Sequence, residues 1–186
     1  MGSDKALLLW RGETLLKRTL DTARQVCDRV IICGSRQLYG EYGEVIEDVE
    51  LGLGPLGGIH AALHATETDL NLILSVDLPL MPREFLHWLL QQALSGEQKI
   101  SAPESLGKLQ PLCAVYHRDT VAAVDQALRE RDLKVTRLFE RVATRIISEQ
   151  DIRGTGFEPA IFTNVNTPEE YGSLVHDGYT HLHHQA

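Results

Sequence analysis

Asn71-Leu72-Ile73-Leu74-Ser75-Val76 is a nearly unbroken apolar run, and it stops at Asp77-Leu78-Pro79-Leu80-Met81-Pro82. A short apolar run without polar alternation suits a strand covered on both faces of its sheet. Pro82 stands where the first turn of a helix accepts proline, and Phe85, Leu86, Leu89, Leu90 and Ala93 follow at helical spacing. Strand, turn and helix in that order form the unit of an α/β sheet. Asp77 thereby falls at the carboxyl end of a strand, where open α/β sheets hold ligands.

Working outward, Gly52-Leu53-Gly54-Pro55-Leu56-Gly57-Gly58 separates this strand from a shorter apolar run, Val45-Ile46, that leads to Asp48. A chain turning at glycines brings backbone N–H groups against a phosphate or a base. Thr14 to Val26 reads as an amphipathic helix capped by Thr14, and Val30 to Ile32 as a buried strand closing at Gly34. Ile59 to Ala65 is predicted helical. Beyond Ala93, strands are expected over Lys99–Ala102 and Leu109–His117, and helices over Asp119–Arg131 and Val135–Val142. Arg145-Ile146-Ile147 reads as a strand, Arg153–Gly156 as a loop, and Thr167-Pro168-Glu169 as a helix start. The alternation predicts a mostly parallel α/β sandwich with helices on both faces, with antiparallel insertions left open.

A chain of 186 residues that is 43% apolar supports one sizeable core and is read as one domain. Its formal charge of −8 opposes broad attraction to nucleic acid or anionic membrane, so neither is expected as a partner. Cys27, Cys33 and Cys113 lie in apolar runs without metal-ligand spacing, which predicts buried free thiols. The absence of a leader-like or long apolar segment leads to the expectation of a cytoplasmic protein. His181, His183 and His184 belong to a terminal stretch read as a flexible tail.

Several residues carry chemistry, each beside a plainer explanation. Asp77 has the placement to hold Mg²⁺ and align a phosphate displacement, or it caps the turn shaped by Pro79. Gly52, Gly54 and Gly57 satisfy G-x-G-x-x-G, with Asp77 twenty residues further on, as in a dinucleotide fold. Pro55 inside that turn, and Glu47, Asp48 and Glu50 before it, argue against a pyrophosphate there. Asn164 and Asn166 alternate on one extended segment and present two amides to one side, or they serve turn and cap chemistry. Lys5 offsets phosphate charge if it faces a triphosphate, and is otherwise a solvated cation.

Taken in order, Met1-Gly2-Ser3-Asp4-Lys5, Gly54-Pro55-Leu56-Gly57-Gly58-Ile59, Val76-Asp77-Leu78-Pro79, Gln110-Pro111-Leu112-Cys113-Ala114-Val115-Tyr116 and Phe162-Thr163-Asn164-Val165-Asn166-Thr167-Pro168-Glu169 resemble the molybdenum cofactor guanylyltransferases. The resemblance runs from residue 1 to about residue 175, and implies the nucleotidyltransferase variant of the Rossmann-like sandwich. It implies transfer of GMP from GTP to the terminal phosphate of molybdopterin-bound molybdenum, with release of pyrophosphate. By the same resemblance Lys5 contacts the GTP phosphates, Asp48 the nucleoside, and Asp77 the Mg²⁺. Gly54, Pro55, Leu56, Gly57 and Gly58 shape the nucleotide pocket, and Asn164 and Asn166 bind the pterin. Other cofactor-biosynthesis proteins and recipient molybdoenzymes follow as implied partners.

One departure matters. The family pattern opens with a buried strand and a Gly-Gly loop bearing an arginine, directly ahead of the Met-Gly-x-Asp-Lys motif. The chain is therefore expected to be a nucleotidyltransferase domain over 1–178, N-terminally shortened relative to the family, with 179–186 as the tail. Met1 is then expected to be an internal methionine of a longer protein, and two sheet edges to lie open where a strand is missing. The alternatives are a cytidylyl or sugar-phosphate nucleotidylyltransferase, or a non-catalytic relative that binds and delivers the cofactor.

Overall fold

The computed structural model describes residues 4–47 and 52–164. A 3₁₀ turn, Lys5–Leu7, leads into the hairpin β1 (Leu9–Trp10) and β2 (Glu13–Thr14). Arg11 and Gly12 form its turn with φ of 51° and 85°, the left-handed pair that a two-residue hairpin favours. Then follow α1 (Leu15–Ala23), β3 (Ile32–Cys33), α2 (Arg36–Tyr39), β4 (Val45–Ile46), α3 (Gly54–Ala65) and β5 (Leu70–Leu74). The second half adds α4 (Arg83–Leu94), β6 (Ile100–Ser105), β7 (Lys108–Leu109), β8 (Cys113–His117), α5 (Val121–Arg129), α6 (Val135–Arg141), β9 (Thr144–Ile147) and α7 (Glu149–Gly154).

The α/β sandwich is present, but its sheet is mixed rather than mostly parallel. β8 lies between β5 and β6 and runs antiparallel to both, while β9 pairs with β6 in parallel and β3 with β4 in parallel. The cause is local: β6 and β7 form a hairpin at Leu106-Gly107, and short connections of that kind join antiparallel strands. Alternation along β8 serves two layers. Ala114 and Tyr116 face α3, α5 and α6, while Cys113 and Val115 face α4 and α7. Among the described residues each of these cores holds eleven buried ones.

A third, smaller cluster of Ala6, Leu16, Leu20, Ile32 and Val45 surrounds a gap in the sheet. β3 pairs only with β4, and β5 only with β8, among the described residues. Between the two inner edges runs a cleft of about 690 Å³, walled by Leu16 and Leu20 of α1 and by Pro55 and Ile59 of α3. β5 is half-buried along its whole length instead of covered on every side, because one of its edges looks into this cleft.

Several boundaries correct the sequence reading. The glycine-rich stretch is not a free loop, since α3 begins at Gly54, and the residues read as a loop near Arg153 include the end of α7. Ser148 and Asp151 cap α7 reciprocally, a capping box with aspartate in place of the usual glutamate or glutamine. β5 ends at Leu74, so Asp77 sits in the following turn, and Pro82 is the N-cap of α4 rather than part of its first turn. None of the three cysteines is in a disulfide, but only Cys113 is buried; Cys33 is exposed and borders the cleft. Burial pushes the Cys113 thiol up to about 12.

Candidate nucleotide site

The chain's N-terminal turn joins the two sheet fragments through side-chain contacts. Lys5 Nζ donates to Asp77 Oδ2 at 3.1 Å, although the two residues are 72 positions apart. Both side chains are partly exposed, at 32% and 23%, so the pair is reachable from solvent. Asp4 caps the turn, its Oδ1 accepting from the Ala6 N–H at 2.9 Å, and its Oδ2 accepts from the Tyr39 hydroxyl at 2.7 Å. Burial, and then the bond to Asp4, push Tyr39 up to about 12. Tyr39 therefore stays a neutral donor at physiological pH and orients Asp4 without adding charge.

Tyr39 also reaches the carboxyl end of β3. A Cβ placed on Gly34 would lie 2.7 Å from the Tyr39 ring, so no larger residue fits there unless the ring moves. The contacts from Gly34 through Tyr39, Asp4 and Lys5 to Asp77 thus link the carboxyl ends of β3 and β5. On the opposite wall, Arg18 Nε of α1 donates to Pro79 O at 2.8 Å and fixes the turn that carries Asp77. The Arg18 guanidinium also lies 4.3 Å from the centre of the buried Trp10 ring, which holds it in place.

α3 contributes its amino end. Gly52 and Gly54 have φ of +87° and +58°, so the entry to the helix needs residues without a Cβ. Leu53, at the N-cap, makes no side-chain cap hydrogen bond, and Pro55 follows in the first turn. No N-cap side chain occupies the N–H groups of this turn, and the positive end of the helix dipole lies behind them, an arrangement that suits an anion. A Cβ on Gly58 would stand 3.6 Å from Cys33 Cβ, which seats this first turn on the carboxyl end of β3. α3 follows β4, an outer strand, rather than the inner strand from which a dinucleotide turn springs.

Lys5, Asp77 and the Gly54–Gly58 turn are thus brought to the carboxyl ends of β3 and β5. Asn164 is exposed, just past the 3₁₀ turn Pro159–Phe162. Asp48 and Asn166 lie outside the described residues. Tyr39 and Arg18 were not singled out from sequence, because each acts through a contact between distant segments. The Gln110–Tyr116 motif has a supporting part: the Tyr116 hydroxyl donates to Pro111 O at 2.8 Å, and Leu112 O accepts from Ser75 N at 2.7 Å, just before the Asp77 turn.

A family model described as the MobA-like NTP transferase domain matches residues 1–146. The chain is 33% identical over 172 residues to a protein of Pelotomaculum thermopropionicum named "Probable molybdenum cofactor guanylyltransferase", covering 91% of this chain and 83% of that one. A protein of the same name from Bacillus subtilis is 32% identical, with 93% and 87% covered. Among solved structures, molybdopterin-guanine dinucleotide biosynthesis protein A of Archaeoglobus fulgidus superposes with a TM-score of 0.81 at 20% identity, covering 96% of this chain and 92% of that one. At that identity the likeness concerns the fold.

Proposed function

This chain belongs to the MobA-like NTP transferase family, and on that premise we propose that it transfers GMP from GTP to the terminal phosphate of molybdopterin-bound molybdenum, releasing pyrophosphate. The observation that carries the reading is the Lys5–Asp77 pair, a cation and a carboxylate held 3.1 Å apart, with the first turn of α3 seated at the carboxyl end of the neighbouring β3. A phosphate chain needs donors and positive charge, which Lys5 and the first turn of α3 supply.

Asp77 offers hard carboxylate oxygens on a partly exposed turn, a donor that suits Mg²⁺ completed by substrate phosphates and water. When bound there, Mg²⁺ supplies charge neutralisation at the phosphate oxygens. Asp77 would hold that ion, and Lys5 would offer its ammonium to the departing pyrophosphate. Asp4, kept in place by Tyr39, fixes the turn from which Lys5 projects. The substrate's own phosphate oxygen attacks the α-phosphorus and the bond to pyrophosphate breaks, so positioning supplies much of the catalysis and no covalent enzyme intermediate forms.

Gly54, Pro55, Leu56, Gly57 and Gly58 shape the guanosine side of the pocket, Asp48 contacts the nucleoside, and Asn164 and Asn166 take the pterin. GTP and the molybdenum cofactor are the substrates, recipient molybdoenzymes the onward partners, and the cytoplasm the working compartment. Among the described residues no helix is long and apolar enough to cross a membrane. The domain is taken as 1–178, with 179–186 a tail.

Asp77→Asn tests the assignment, because the amide keeps the size and loses the charge. Mg²⁺-dependent GMP transfer, measured at saturating GTP, should fall by about 100-fold or more while the unfolding midpoint stays close to wild type. Near-native turnover would remove Asp77 from the site.

A further inference from the structure

Away from the nucleotide site, α3 and α5 bring three metal-ligating side chains together. His60 and His64 are four residues apart on α3, so their rings leave one face of the helix. Asp125 projects from α5. The two helices share a packed seam in which Leu56, Ile59, Leu63, Val124 and Ala127 are all buried, so the separation between the side chains is set by core packing.

His60 Nε2 and His64 Nε2 lie 3.1 and 2.9 Å from the same oxygen, Asp125 Oδ1, and the three ligand atoms fall within 4.8 Å of one another. Zinc bonds of about 2.0–2.1 Å to nitrogen and oxygen give a tetrahedral site edges of about 3.3 Å. Two of the three edges are already near that length.

Without a metal, each neutral imidazole can donate its Nε2–H to this carboxylate oxygen, and only the doubly cationic form is disfavoured. For both imidazoles to serve one carboxylate oxygen as cations, two like charges would share a site with ring centroids 4.4 Å apart. A divalent ion gives each neutral imidazole's lone pair a partner and keeps the carboxylate's charge useful. The His64 side chain is 50% exposed, which leaves room for water as a fourth ligand.

We propose that His60, His64 and Asp125 form a binding site for a zinc-class divalent cation that fastens α3 to α5. At about 1.5 Å per residue, the two histidines stand about 9 and about 15 Å along α3 from Gly54, so the site is separate from the phosphate-facing end of the helix. Two imidazoles and one carboxylate favour Zn²⁺, Co²⁺ or Ni²⁺ over the harder Mg²⁺ assigned to Asp77.

The test titrates the full chain with Zn²⁺ and Co²⁺ in millimolar Mg²⁺, by calorimetry and by the visible absorption of Co²⁺. A companion chain carries His181→Asn, His183→Asn and His184→Asn, because tail histidines also capture these ions. One equivalent should bind in both chains, with a tetrahedral Co²⁺ spectrum, and Zn²⁺ should raise the melting temperature of both. Loss of an outer-shell partner weakens metal sites about 10–100-fold, so His64→Asn and Asp125→Ala, each checked for native circular dichroism, should weaken binding by at least about 100-fold. Binding that vanishes with the tail histidines, binding unchanged in His64→Asn, or no stoichiometric binding would overturn the site. None of these readouts depends on nucleotidyl transfer, so failure here leaves the proposed function standing.

Discussion

From β5 through β8 and β6 to β9 every strand is joined to its neighbour by a backbone ladder, and helices cover both faces. Across the cleft, β3 and β4 make a two-stranded fragment backed, among the described residues, by a cluster of five buried side chains. The joints also differ in kind. The fragment is fastened by side chains, through Lys5 to Asp77 and through Arg29 Nη1 to Ala65 O at 3.4 Å, and α1 beside it through Arg18 to Pro79. α1 and α3 nevertheless stand over and under the gap as if a strand lay between them. The helical layers of an α/β sandwich thus keep their places through contacts with each other and with flanking strands, while the stiffness of the sheet comes from its ladders.

If that contrast is sound, core truncations should cost unequal amounts in the two halves. Phe85 is fully buried and packs edge-on against Phe157 and Phe162, with centroids at 5.4 and 5.3 Å, so Phe85→Ala should cost about 3–5 kcal/mol. Leu20 is also buried but borders the cleft, and Leu20→Ala should fall near about 2 kcal/mol, the low end for such a truncation. Guanidinium unfolding curves of the two variants give the comparison, and equal losses would break it.

Filling the gap should narrow the difference. Adding ahead of residue 1 an apolar strand, a Gly-Gly turn and an arginine gives β3 and β5 a shared partner and the site further phosphate donors. The melting temperature should rise by more than about 5 °C, equivalent to about 2 kcal/mol for a chain of this size, and GTP should bind more tightly. An extension that leaves both unchanged would mean that the cleft does not take a strand.

The smallest effect concerns pH. Tyr39 is raised from 10.0 to about 12 in the folded chain, so the native state keeps a proton that the unfolded state releases. Its contribution to stability is full below pH 10 and disappears as pH rises through the window to about 12. Tyr116 and Cys113, raised by burial in the closed half, act in the same direction, so the informative curve is the difference from Tyr39→Phe. Urea midpoints across that window should fall more steeply for the wild type than for the variant; parallel curves would show that Tyr39 does not couple the open half to protonation.

Local signals were legible where a residue's job is done by its near neighbours. Thr14 caps α1 through the Lys17 N–H, and Val45–Ile46 and α6 fall within a residue of the sequence reading. The start of α3 was hidden because glycine and proline disfavour helix interiors, whereas here they occupy its first turn. Strand direction was hidden as well, since the apolar run from Leu109 to His117 conceals the break at Gln110–Leu112 that separates β7 from β8. In the site, Lys5 and Asp77 were each suggested by position and by resemblance, but their contact depends on the fold. His60 and His64 carry a visible four-residue spacing, yet Asp125 becomes their neighbour only when α5 packs on α3.

The recessed position of the open strands also governs how copies of the chain meet. An unpaired strand edge ordinarily recruits another chain, but α1 and α3 flank both edges of this cleft, which narrows the approach of a second molecule. Native molecules should therefore coexist without sticking, and clumping should track the fraction in which α1 has lifted away rather than total concentration. For such a chain, shelf life would be set by how firmly one nine-residue helix is held in place.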